Sequence, residues 1–364
     1  MSLLRSAKIA IKKHNYKLFE LLHPFHKAYR ELLMRGAQRR YGVNPKKVIF
    51  SSFEGRSYND NPRAISEKLH ELCPEAEIVW LFQTSVIDKV EVPPYVKKQF
   101  YIQTWHGDRG FKKVGDDNEK LDHKVLRMED QCAMMIAGSE FGKGTYRTAF
   151  RFKGEVLMDG CPRNDILLRN DPKVAADIRR RMGIEDGVKL LMYAPTYRDA
   201  LERCAQDAVL DISRTLDHLE ATTGEQWRCL YRAHYLNTGL NVREDSRLID
   251  ATKWPEMSEL LLITDMLITD YSSCGGDFAL LRRPLFLYHA DAEEYLRESR
   301  SFYFDIEKSP FLVAHDQQEL EALIDKTDAE AARENCEALD RFFGTTETGH
   351  ASEAVCRYIM ERMN

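Results

Sequence analysis

Several absences narrow what this chain can be. Its eight cysteines, at 73, 132, 161, 204, 229, 274, 336 and 356, contain no CxxC pair. That argues against a structural zinc site and fits reduced thiols in a cytoplasm. No run of about 18 apolar residues occurs, so no membrane-spanning helix is expected. The first residues lack the uncharged core and small-residue cleavage site of a signal peptide. No GxxxxG pattern ends in Gly-Lys-Ser/Thr, which excludes a Walker loop. No DxD-type pair offers itself to Mg²⁺ on a diphosphate, so no metal and no cofactor are expected. Charge on a phosphate ligand would then be handled by His, Arg and helix dipoles. Internal repeats and low-complexity tracts are missing as well.

What is present suits an enzyme of two domains. The chain has 364 residues, 43% of them hydrophobic and 30% charged, enough to bury substantial cores. The net charge of −5 hides an asymmetry. Residues 1–47 hold twelve Lys or Arg against Glu20 and Glu31, a balance of +10 that leaves −15 on the remainder. Within this leader Leu4, Ala7, Ile11, Leu18, Leu21, Leu22, Phe25, Tyr29, Leu32 and Leu33 recur at roughly helical spacing. A basic amphipathic helix of this kind suits an anionic membrane surface. A stripe packed on the protein's own body is the alternative. His23-Pro24 is expected to break the segment into two helices.

After Pro45 short apolar runs alternate with helical patterns. Strands are predicted at Val48–Phe53, Glu77–Phe82, Phe100–Thr104, Met134–Ala137 and Val156–Met158. A second series follows at Leu190–Tyr193, Trp227–Tyr231, Arg247–Asp250, Met266–Thr269, Leu285–Tyr288 and Phe311–Val313. Helices are predicted at Pro62–Leu72 with Asn61 as N-cap, Pro172–Met182, Ile212–Ala221 and Gln317–Ile324. Such alternation implies parallel sheets covered on both faces, in two Rossmann-like domains. The helices of about 328–362 read as too polar for a core and as crossing back to the first domain.

Several strands stop abruptly at polar residues, which a parallel sheet gathers along its carboxyl edge, where nucleotides bind. In Ile102–Gly107 an apolar strand runs into Trp105 and His106, and Gly107 permits an unusual turn. A histidine there has the right titration range to accept a proton, or it satisfies a backbone carbonyl. Lys112 and Lys113 would give a positive mouth, or are solvated surface lysines. His234 ends a strand with Arg232 close by, a pairing able to neutralise a pyrophosphate. Asp270-Tyr271-Ser272-Ser273 precedes a helix starting near Cys274-Gly275-Gly276-Asp277, an anion-site pattern that also reads as plain N-capping by Ser273. Tyr58–Arg63 and Ala194–Asp199 place further polar groups at loop junctions, where turns with caps are the plainer reading.

Assembled in order, these segments resemble the CDP-glycerol:glycerophosphate glycerophosphotransferases, the teichoic-acid primases and polymerases. The resemblance rests on YNDNPR at 58–63, QTWHG at 103–107, GSEF at 138–141, DGCPRND at 159–165 and YAPTYRD at 193–199. It continues with RAH at 232–234, ITDYSSCGGDFALLRRP at 268–284 and FYFD at 302–305. It implies a GT-B fold, two Rossmann-like domains facing across a cleft. The leader would be 1–46, the acceptor domain 47–168, the donor domain 169–328 and the returning helices 329–364. The implied reaction moves glycerol phosphate or ribitol phosphate from CDP-glycerol or CDP-ribitol to a lipid-linked saccharide acceptor and releases CMP.

The resemblance also implies roles. His106 would deprotonate the acceptor hydroxyl, and His234 would sit near the donor phosphates. Thr196, Arg198, Arg232, Asp270, Ser272, Ser273 and Asp277 would bind donor. Asn59, Asp60, Arg63, Trp105, Asp108, Arg109, Lys112 and Lys113 would bind acceptor. Asp108-Arg109-Gly110 replaces the family's common Thr-Pro-Leu, which points to a different acceptor or alditol preference. The lack of a long N-terminal extension fits a primase or single-domain transferase. The protein is expected on the inner face of the cell membrane, peripheral and cytoplasmic, with an anionic lipid surface and no nucleic acid as partner. A GT-B sugar transferase and a catalytically idle scaffold are the competing readings.

Overall fold

Apolar runs flanked by turns become parallel strands when both faces of the sheet can be covered, and that arrangement organises the second half of the chain. The computed structural model describes residues 16–83, 99–119, 132–196, 210–232, 245–292, 295 and 301–363. Six strands form one sheet: β6 (Lys189–Ala194), β7 (Trp227–Tyr231), β8 (Leu248–Asp250), β9 (Met266–Thr269), β10 (Leu285–Tyr288) and β11 (Leu312–Ala314). Their order is β11-β10-β9-β6-β7-β8, all parallel. Alternate side chains serve two cores. Leu190, Met192, Leu230, Leu267, Leu285 and Leu287 face one; Leu191, Tyr193, Cys229, Ile268, Phe286 and Tyr288 face the other.

The chain enters this sheet at its centre, winds outward through β7 and β8, then returns to the other side of β6 as β9. This is the doubly wound order, and the reversal leaves a switch point between the carboxyl ends of β6 and β9.

The first half holds two smaller parallel sheets. β1 (Lys47–Phe50) pairs with β2 (Glu77–Trp80), while β3 (Ile102–Gln103), β4 (Met134–Ile136) and β5 (Glu155–Leu157) pair in that order. Both contribute to one core, in which Phe50 and Ile136 meet Ile65 and Leu69 of a helix at Asp60–Leu72.

The C-terminal helices are amphipathic, not too polar for a core. The helix Ala329–Phe343 buries Cys336, Leu339 and Phe343 in the second half's core. The next, Ala351–Met363, buries Val355 and Cys356 in the first half's core, with Cys356 Sγ 3.5 Å from the Ile65 carbonyl oxygen. The chain therefore crosses between the halves at 344–350.

Two local expectations need correction. Asn61 does not cap its helix, which starts at Asp60 after Asn59; its carboxamide is engaged elsewhere, as described below. Pro24 does not end the leader helix, which runs over Tyr16–Tyr41. A proline removes one rung of the hydrogen-bond ladder, and this helix continues through that loss. No helix among the described residues is long and apolar enough to cross a membrane.

Candidate functional site

The switch point is closed by side chains from both strands that flank it. Asp270, just after β9, is buried and accepts from the Thr196 N–H at 2.9 and 3.0 Å and from its hydroxyl at 3.1 Å. Ser272 and Ser273 follow, partly open to solvent, at the start of the short helix Cys274–Phe278. Ser273 does not cap that helix with its side chain, and Ser272 Oγ only weakly accepts from the Cys274 N–H at 3.4 Å. Both hydroxyls are thus placed at the crevice with little local work to do.

The loop after β3 lies directly against this one. A Cβ built on Gly110 would stand 3.4 Å from Ser273 Cβ, and one on Gly276 only 2.6 Å from Arg109 Cβ. His106 sits four residues before Gly110. The left-handed residue of its turn is Trp105 (φ 50°) and not Gly107, an uncommon state for a bulky side chain. Asn61 holds it there: its Nδ2 donates to the Thr104 and Trp105 carbonyls at 3.3 and 2.9 Å. Gln103 Oε1 accepts from the Trp105 N–H at 3.0 Å.

The His106 ring is exposed, with Phe53 and Trp105 rings at 5.3 and 4.7 Å. Lost hydration pushes its pKa below the usual histidine value; Asp60 opposes that and Arg163 adds to it. The imidazole is therefore neutral near pH 7 and able to accept a proton.

Asp108 and Arg109 were expected to touch acceptor, but their side chains point inward. Asp108 is buried and accepts from the Gly138 N–H at 3.0 Å, close under Gly142. Arg109 is 1% exposed and donates through Nη2 to Asp277 Oδ1 at 2.8 Å and Glu347 Oε1 at 2.9 Å. Asp277 is likewise no open donor ligand, since Arg109, Arg163 and Asn164 all bond its carboxylate. Burial would raise its pKa, yet Arg163 and Arg109 outweigh burial and hold it below the usual range.

Arg232 is also occupied, its Nη1 spanning the Ala251, Thr252 and Trp254 carbonyls at 2.7, 2.6 and 2.5 Å. Asn59, Asp60 and Arg63 clasp the second half through Pro255, Glu256 and Glu259. Trp105 packs edge-on to Phe150, Lys113 pairs with Glu119, and Lys112 lies over the Tyr295 ring. Arg198 and His234 lie outside the described residues.

Glu347 was missed from the sequence. It lies in the crossing between the halves, its side chain wholly buried. Its carboxylate accepts from Arg109 and from Asn164 Nδ2 (2.7 Å) on one oxygen, and from the Cys161 N–H (2.9 Å) on the other. Any Cβ at Gly138 or Gly160 would collide with that carboxylate, and Gly160 is also left-handed (φ 113°). The glycines of GSEF and DGCPRND thus make room for an acid 209 and 187 positions further on, a pairing with no local signature.

Burial pushes the Glu347 pKa up to about 7, with Arg109 and Asn164 opposing and Asp108 and Asp277 adding. Its folded pKa exceeds its unfolded one, so the protonated form is favoured by folding. Its contribution to stability is present below about pH 4.5 and is lost as pH rises towards about 7. Thermal melts from pH 4.5 to 8 should show the wild type losing stability relative to Glu347→Gln across that window; parallel curves would contradict this.

Comparisons with known proteins agree with the geometry. The chain is 28% identical over 308 residues to the teichoic acid poly(glycerol phosphate) polymerase of Staphylococcus epidermidis, covering 72% of this chain but 43% of that protein. It is 28% identical over 366 residues to a teichoic acid glycerol-phosphate transferase of Staphylococcus aureus, covering 87% of this chain and 94% of that one. In structure it is similar to a histidine-to-alanine variant of the wall teichoic acid polymerase TagF, with a TM-score of 0.73, 25% identity, and 94% and 98% of the two chains covered. A family model described as CDP-glycerol:poly(glycerophosphate) glycerophosphotransferase matches residues 33–97 and 86–361, and the chain belongs to that family.

Proposed function

We propose that the protein transfers glycerol phosphate or ribitol phosphate from a CDP-alditol to a hydroxyl of a lipid-linked saccharide, releasing CMP, in teichoic-acid-like or capsule synthesis. The observation that carries this reading is the contact of the His106 loop with Ser273 at the switch point. His106 takes the proton of the acceptor hydroxyl. The oxygen attacks the distal phosphorus of the donor, the bond to the bridging oxygen breaks, and CMP departs with that electron pair. Ser272 and Ser273 are open to hydrogen-bond the pyrophosphate, with His234 and Arg198 assigned to the same half. No metal enters this scheme. Residues 47–168 with 351–363 form the acceptor half, and 169–343 the donor half, facing across a cleft. Release of CMP from CDP-glycerol or CDP-ribitol, with UDP-sugars left intact, tests the reading; turnover of UDP-sugars alone would replace it with sugar transfer.

The leader is assigned to an anionic membrane surface. On the helix Tyr16–Tyr41, Phe25, Tyr29, Leu32 and Leu33 are 52–71% exposed, which weighs against their completing the protein's own core. The intact protein should sediment with phosphatidylglycerol-containing liposomes at low salt and less so above 0.1 M, where the Debye length shrinks below about 10 Å. Deleting residues 1–40 should abolish sedimentation and spare activity on a short soluble acceptor. Equal sedimentation of both forms would defeat the assignment.

A further inference from the structure

The motif DGCPRND at 159–165 carries no role in the scheme above, yet its arginine touches both halves of the site. Arg163 is 7% exposed. Its Nη1 donates to Asp60 Oδ1 at 3.2 Å, while Nε and Nη2 donate to Asp277 Oδ2 at 3.1 and 3.0 Å. Its backbone N–H donates to Asn61 Oδ1 at 3.0 Å, and Asn61 Nδ2 holds the two carbonyls that immediately precede His106. On one side, then, Arg163 is two hydrogen bonds from the His106 backbone. On the other it grips the short helix that begins beside Ser273.

The charges acting on His106 are Asp60, which favours the protonated ring, and Arg163, which opposes it; the rings packed near it, Phe53 and Trp105, are uncharged. Arg163 therefore also offsets the one carboxylate that would raise the His106 pKa and keep its ring protonated, unable to accept a proton, at lower pH. A planar guanidinium can hold two carboxylates in fixed directions at once, which an ammonium cannot.

We propose that Arg163 is a positioning residue for the transfer: its backbone N–H helps fix the His106 turn through Asn61, while its guanidinium sets the charge surroundings of His106 through Asp60 and the place of the donor loop through Asp277. This rests on His106 being the base. Loss of the cation should leave the Asp60 carboxylate unopposed beside the ring.

The test is the titration of His106 by NMR in histidine-labelled protein, assigned with His106→Gln, beside the pH profile of kcat/KM with CDP-glycerol. In wild type the acid limb of the profile should coincide with the His106 midpoint; a mismatch overturns His106 as the base, whatever Arg163 does. In Arg163→Gln the midpoint should rise by roughly half a pH unit or more, with the acid limb moving alongside and kcat/KM falling. Arg163→Lys should give a smaller rise, because it restores one contact and not both. An unmoved midpoint in folded Arg163→Gln overturns the proposal. Should that variant fail to fold, Asp60→Asn serves instead: it keeps Arg163 on Asp277 and should lower the midpoint, and no change there overturns the proposal equally.

Discussion

Replacing His106 by alanine is expected to cut alditol-phosphate transfer by about 10²–10⁴-fold, the usual worth of a general base, while CDP-glycerol affinity changes little. The expectation follows from its position. His106 follows β3 in the first half, whereas the serines that face the switch point follow β9 in the second. Removing the imidazole takes away a proton acceptor and leaves Ser272, Ser273 and the Thr196–Asp270 closure intact. If His106 is the base, activity in the wild type should rise with pH through a pKa below the ordinary histidine value of 6.5 and then level off, as the ring loses its proton. Calorimetry with CDP-glycerol separates the roles. A collapse of affinity along with rate would make His106 a donor ligand.

Asp277→Ala is expected to destabilise the fold by about 3–5 kcal/mol, the range for removing one partner of a buried ion pair. Two guanidiniums, Arg109 and Arg163, would lose a shared counter-ion inside the protein. Glu347 remains to Arg109 and Asp60 to Arg163, so the loss need not unfold the chain. Arg109 already has Nε and Nη1 without hydrogen-bond partners, which leaves it little slack. Asp277→Asn keeps the acceptor oxygen for Arg163 and should cost less than the alanine. Urea denaturation of the three proteins measures this, and a loss under about 1 kcal/mol for the alanine variant would show that the network adjusts freely.

The strands were the most legible part of the sequence. All eleven predicted runs are strands, with ends shifted by up to three residues. Runs such as Leu190–Tyr193 and Leu285–Tyr288 are buried on both faces, so their composition alone marks them. Long-range polar pairings were not legible. Asp108, Arg109 and Asp277 look like surface ligands in one dimension, because nothing local reveals that the Gly138 N–H reaches Asp108, that Glu347 reaches Arg109 and that Arg163 reaches Asp277. Asn61 shows the same limit in miniature: a good cap by residue type, it is spent on two carbonyls more than 40 positions away. Asp270, Ser272 and Ser273 lie just past the end of β9, at the carboxyl edge, because there the sheet itself does the gathering.

On the proposed function, an alditol phosphate is joined to an acceptor at the β6–β9 switch point. This is tested most directly by incubating the intact protein with CDP-[¹⁴C]glycerol or CDP-ribitol and a lipid-linked disaccharide, following CMP and label together. CMP release should depend on acceptor, label should pass in equal amount to the lipid-linked product, and both should be lost in His106→Ala. CMP release without label transfer, or no release from either CDP-alditol while UDP-sugars turn over, would contradict it.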